Sequence, residues 1–91
     1  MSLINLGIFG GGQLGSMLCE AAKKLNIKTT IYSDDIDAPA QNFCDEFIHG
    51  NYNDKVKIFS FANKVDVLTY EFENIPFETL NEINKLKTVL P

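Results

Sequence analysis

The sequence predicts an α/β domain: a Rossmann-like, doubly wound parallel sheet of about five strands in the order 3-2-1-4-5. Three observations lead there. Strand-like and helix-like stretches alternate along the chain, and that alternation gives parallel strands joined by helical crossovers. The first apolar run, residues 4–9, opens into three glycines, Gly10, Gly11 and Gly12, and then into a helical pattern. The length, 91 residues, suits one domain with a single core, residues 1–91.

Taken in order, residues 4–9 (INLGIF) form an apolar run of the length expected for a buried parallel strand. Behind the glycines, Leu14, Met17, Leu18, Ala21, Ala22 and Leu25 recur at helical spacing, with Glu20, Lys23 and Lys24 off the stripe. Residues 13–25 are therefore expected to be helical, with that stripe as the apolar face. Asn26 is placed to stop the helix. Residues 29–33 (TTIYS) are β-branched and aromatic, as a second strand would be. Asp34, Asp35 and Asp37 form an acidic turn, and Pro39 suits the first turn of a short helix over residues 38–43. Residues 46–49 read as a third strand. Asn53 or Asp54 can cap a helix over residues 55–64. Residues 65–70 (VDVLTY) are a fourth strand. Pro76 sets the first turn of a helix reaching about residue 86, with Phe77, Leu80 and Ile83 facing inward. Residues 88–90 begin a fifth strand, after which no closing element follows. That ending predicts a piece of a longer enzyme.

Composition narrows the function classes. The formal net charge is −4 and the lysines are scattered, which argues against nucleic acid as a partner. No apolar run approaches a membrane span, and no basic region precedes the first apolar stretch as in a signal peptide. Cys19 and Cys44 are far apart without CxxC spacing, so reduced thiols in a cytoplasmic protein are expected, each buried or half-buried. No metal-ligand spacing occurs, and no nucleophile–base pair can be read. His49, the single histidine, reads as structural.

The chemistry is expected where two loops meet. In a doubly wound sheet, ligands bind beyond the carboxyl ends of the strands, where the strand order reverses. That point lies between the first and fourth strands, so the loop Gly10 to Gly15 should face the segment Glu71-Phe72-Glu73-Asn74. Glycines let a backbone approach a ligand closely, and a helix N-terminus behind them offers N–H donors to an anion such as phosphate. The bland alternative is a tight turn serving strand–helix packing. Glu71 and Glu73 are candidate ligand contacts that would accept hydrogen bonds from amine or hydroxyl groups. Together the two loops suit a phosphorylated sugar bearing an amine. Gly10, Gly12 and Gly15 also fit G-x-G-x-x-G, with Asp34 as a candidate ribose contact, so an NAD(P)-binding oxidoreductase domain is the alternative reading. A non-enzymatic interaction module with an exposed apolar face is a third.

GIFGGGQLGSML, the acidic turn SDDIDAPA, and TYEFENIP resemble the N-terminal (preATP-grasp) domain of the N5-carboxyaminoimidazole ribonucleotide synthetase family, in the ATP-grasp superfamily. The family is also known as the ATPase subunit of phosphoribosylaminoimidazole carboxylase. GGGQLG followed by YEFENIP is more specific than GxGxxG alone. The resemblance implies an ATP-dependent ligase that carboxylates aminoimidazole ribonucleotide with bicarbonate in purine biosynthesis. It implies ATP and Mg²⁺ bound by central and C-terminal ATP-grasp domains beyond this chain, and a homodimer when full length. It also implies that Gln13, Leu14 and Glu73 contact the ribonucleotide, to which Gly12 is added on loop geometry. No catalytic residue is expected here. Many members carry an arginine where this chain has Ser16, so the loop lacks that cation.

Overall fold

A computed structural model describes residues 4–71 and 76–90. The expected architecture is present. Strands β1 (Asn5–Phe9), β2 (Lys28–Ser33), β3 (Glu46–His49), β4 (Val67–Tyr70) and β5 (Thr88–Val89) form one sheet ordered β3-β2-β1-β4-β5. Every pairing is parallel. The connections are helix α1 (Gln13–Lys24), a 3₁₀ turn (Pro39–Asn42), helix α2 (Lys55–Lys64) and helix α3 (Phe77–Asn84).

The period of two along a strand sorts the core into two layers. In the β1–β2 register Ile8 lies beside Ile31, and Phe9 beside Tyr32. Ile8 and Ile31 join Cys19 of α1 and Ala40 of the 3₁₀ turn on one side of the sheet. Phe9 and Tyr32 join Ile58, Phe61 and Ala62 of α2, and Ile83 of α3, on the other. Phe9 meets Phe61 and Tyr32 edge-on, with Phe9 and Phe61 centroids 5.0 Å apart at 71°. Gly7 faces this layer. A Cβ on it would lie 2.7 Å from Leu68 Cδ2 and 2.8 Å from Val65 Cγ2, so its bareness lets α2 and the following segment sit close to β1.

The helix ends follow local chemistry. Asn26 stops α1 with φ 58°, while its N–H donates to Lys23 O and the Ile27 N–H donates to Ala22 O. These are the paired bonds of a Schellman ending, with asparagine taking the left-handed position. Asp54 caps α2, accepting from the Lys57 N–H at 3.1 Å. β4 starts two residues later than expected, at Val67; just before it the Asp66 N–H donates to Asn5 O at 2.8 Å and the Asp66 carboxylate accepts the Asn5 N–H at 2.7 Å.

Two expected inward faces need correction. The buried residues of α1 are Gly15, Ser16, Cys19 and Ala22, whereas Leu14, Met17 and Leu25 are exposed. Small side chains let the helix lie flat on the sheet and the 3₁₀ turn, and this rotates the larger apolar residues outward. In α3, Ile83 is buried, but Phe77, the first residue of the helix, is 79% exposed.

Candidate functional site

The crevice lies at the carboxyl ends of β1 and β4. Gly10 leaves β1 with φ +110°, a conformation L side chains rarely adopt, and turns the chain toward α1. Its N–H donates to Tyr32 O at 2.9 Å, so the loop is pinned to β2 as it leaves the sheet. Gly11 O accepts from the Ala40 N–H at 2.9 Å, which ties the 3₁₀ turn to the loop. Ser16 is buried behind it, and its hydroxyl donates to Gly12 O at 3.2 Å.

The two loops meet through Glu71. Its Oε1 accepts the Gly12 N–H at 2.8 Å. The Glu71 N–H donates to Phe9 O at 3.0 Å, extending the β1–β4 ladder to the loop itself. The carboxylate therefore sits at the N-terminal end of α1, on an amide that a phosphate would otherwise use, and where negative charge is favoured. No side chain of the N-cap residue, Gly12, serves the helix.

The resulting cleft holds about 230 Å³. Gly10, Gly11 and Gly12 form one wall, Ser33, Asp34 and Asp35 with Ala38 and Pro39 another, and Tyr52 and Glu71 complete it. Its lining carries three carboxylates and, among the described residues, no lysine or arginine. Tyr52 is 6% exposed, and its hydroxyl donates to Tyr32 O at 3.3 Å, the carbonyl that also receives Gly10. Burial first, and then the Asp34 carboxylate, push its phenol from 10.0 to about 12; Glu71 adds in the same direction.

Among the expected site residues, Gly12 and Asp34 line this cleft. Gln13 and Leu14 open α1 immediately beside it, both exposed. Glu73 lies outside the described residues, as do Phe72, Asn74 and Ile75. Glu71 is the strand-end carboxylate that the structure puts against the glycines. Asp35 is used locally, its Oδ1 accepting the Asp37 N–H at 2.9 Å. His49 approaches Asp34 O with Nε2 at 3.1 Å, at the end of β3. Sequence reasoning missed Tyr52; its only signal was an aromatic residue in a polar stretch after the third strand. Among the described residues, no three His, Cys, Asp or Glu side chains come together to hold a metal ion, and no helix is long and apolar enough to cross a membrane.

Comparison with known proteins places these features. The sequence model of the ribonucleotide synthetase preATP-grasp domain matches residues 3–91. N5-carboxyaminoimidazole ribonucleotide synthase of Staphylococcus epidermidis is 41% identical over 81 residues, which are 89% of this chain and 22% of that protein. Phosphoribosylaminoimidazole carboxylase of Ogataea methanolica is 48% identical over 82 residues, 88% of this chain and 15% of that protein. The crystal structure of N5-carboxyaminoimidazole synthetase from Staphylococcus aureus complexed with ADP superposes with a TM-score of 0.92 at 33% identity, covering 98% of this chain and 24% of that one. The Aspergillus clavatus synthase, in complex with ADP and 5-aminoimidazole ribonucleotide, gives 0.85 at 30% identity, with 98% and 24% covered. The chain thus spans 15–24% of the length of these four proteins.

These relatives correct the nicotinamide reading: they are ribonucleotide synthases and carboxylases, and Glu71 takes a loop amide that a dinucleotide pyrophosphate would need. From the match along nearly its whole length and the shared fold, the chain belongs to the ribonucleotide synthetase preATP-grasp domain family.

Proposed function

We propose that this chain is the N-terminal part of an ATP-dependent ligase that carboxylates 5-aminoimidazole ribonucleotide with bicarbonate, yielding N5-carboxyaminoimidazole ribonucleotide in purine biosynthesis. Its share of the work is to bind the ribonucleotide, with Gly12, Gln13, Leu14 and Glu73 as contacts and Asp34 as a ribose contact. The observation that carries this reading is the meeting of the glycine loop with the β4 strand end, where the Gly12 N–H reaches Glu71 at 2.8 Å. It forms a cleft rich in acceptors, and sugar hydroxyls and an exocyclic amine are donors that match them.

The described residues do not fit ATP or Mg²⁺. A nucleotide triphosphate needs cations and free loop amides, but the cleft offers carboxylates, and among the described residues these do not converge in a group that could hold a metal ion. ATP and Mg²⁺ belong to ATP-grasp domains of the longer protein, which also supply the groups that activate bicarbonate. Among the described residues none is assigned as a general acid or base for the transfer; the chain's part is to hold the amine-bearing substrate in place. The longer protein is expected to be a cytoplasmic homodimer that needs neither nucleic acid nor membrane.

The test is calorimetric titration of the full-length protein with aminoimidazole ribonucleotide. Glu73→Gln should weaken binding by about tenfold or more, as expected on losing a charge-assisted hydrogen bond. Unchanged affinity would reject the role of Glu73, and no binding by the unaltered protein would reject the substrate.

A further inference from the structure

We propose that Glu71 closes the glycine loop to phosphate, and thereby decides which end of a ligand can enter there. A glycine loop opening a helix ordinarily presents N–H groups and a positive dipole end to an anion. Here the anion is the chain's own. The Gly12 N–H is donated to Glu71 Oε1 at 2.8 Å, and the same side chain fills the space beside the glycines. A Cβ built on Gly10 would lie 2.7 Å from both Cγ and Oε1 of Glu71, and one on Gly12 would lie 3.1 Å from Oε1.

The remaining walls reinforce the exclusion. Asp34 and Asp35 line the cleft with Glu71, and among the described residues no lysine or arginine does. An incoming phosphate meets a carboxylate at contact distance, and that repulsion exceeds the attraction of the helix end. A hydroxyl or amine meets the same carboxylate as a donor meets an acceptor. Glu71 is thus a specificity-determining and positioning residue. The ribonucleotide turns its hydroxyls or its amine to the loop and its phosphate away. That orientation rests on the ribonucleotide reading; the exclusion of phosphate does not.

The experiment is titration of the ¹⁵N-labelled chain with inorganic phosphate, followed at the amides of residues 10–14. The unaltered chain should show no saturable shift. Glu71→Ala frees the Gly12 N–H, and the same amides should then shift saturably, at least about tenfold more tightly than any response of the unaltered chain. Glu71→Gln keeps an oxygen for Gly12 but removes the charge, and should respond between the two. Saturation of the loop amides in the unaltered chain overturns the proposal. So does silence in both variants. If Glu71→Ala does not fold, Glu71→Gln alone decides, a response above the unaltered chain supporting the proposal and none refuting it. No ribonucleotide is present, so failure of the substrate reading leaves this result standing.

Discussion

Replacing Gly10 with alanine strikes the point where the fold and the crevice share a constraint. Two costs arise. An L side chain at φ +110° carries backbone strain of about 1–3 kcal/mol. The new Cβ would also lie 2.7 Å from Glu71 Cγ and Oε1. That contact is with a side chain, so Glu71 can swing away, but only by releasing the Gly12 N–H, at a further cost of about 1 kcal/mol. The sum is about 2–4 kcal/mol, and at about 4–8 °C per kcal/mol for a domain of this size the melting temperature should fall by about 8–32 °C. Thermal unfolding followed by circular dichroism measures it. The two terms separate in a double-mutant cycle with Glu71→Ala, because the clash cannot occur in that background. Gly10→Ala should then cost about 1 kcal/mol less. A melting temperature within about 3 °C of the unaltered chain would refute the strain argument. An identical cost in both backgrounds would refute the Glu71 contact.

Two further perturbations test other parts of the structure. Asp54→Ala removes the side chain that accepts the Lys57 N–H, and should cost about 1 kcal/mol in urea unfolding with an unchanged m-value. Alkaline pH should destabilise the fold through its buried phenols. Burial, followed by nearby carboxylates, pushes both Tyr32 and Tyr52 from 10.0 to about 12. Folded phenols therefore keep protons that the unfolded chain has lost. The stability is complete below pH 10.0 and is lost as the pH rises toward 12. Urea midpoints measured across that range should fall, and Tyr52→Phe should flatten the fall; a midpoint independent of pH would contradict it.

The topology was legible because each connection carries its own punctuation. The three glycines, Asn26, Pro39, Asp54 and Pro76 all stand at element ends where the chain turns. Faces were less legible than elements. Hydrophobic spacing picked Leu14, Met17 and Leu25 on α1, yet the contact surface is Gly15, Ser16, Cys19 and Ala22. Close packing against a sheet rewards small volume, a quantity that an apolar count does not register. Gly7 escaped notice for the same reason, since its role is to be absent from a space that Leu68 and Val65 occupy. At the crevice, topology was enough to bring the glycine loop and the β4 end together. It could not say that Glu71 turns onto Gly12, because two acidic residues, Glu71 and Glu73, stood equally at that strand end. Tyr52 was unreadable for a different reason. Its hydroxyl reaches Tyr32 O from a separate loop, a tertiary contact with no local pattern.

The most direct test is to map aminoimidazole ribonucleotide onto the protein by amide shifts, with residue 71 and its loop assigned. Binding at the crevice predicts changes concentrated at residues 10–14, at Asp34 and across residues 71–74, with the amino ends of the strands unmoved. Saturable binding whose shifts cluster instead near Lys23 and Lys28, at the opposite end of the sheet, would contradict the account.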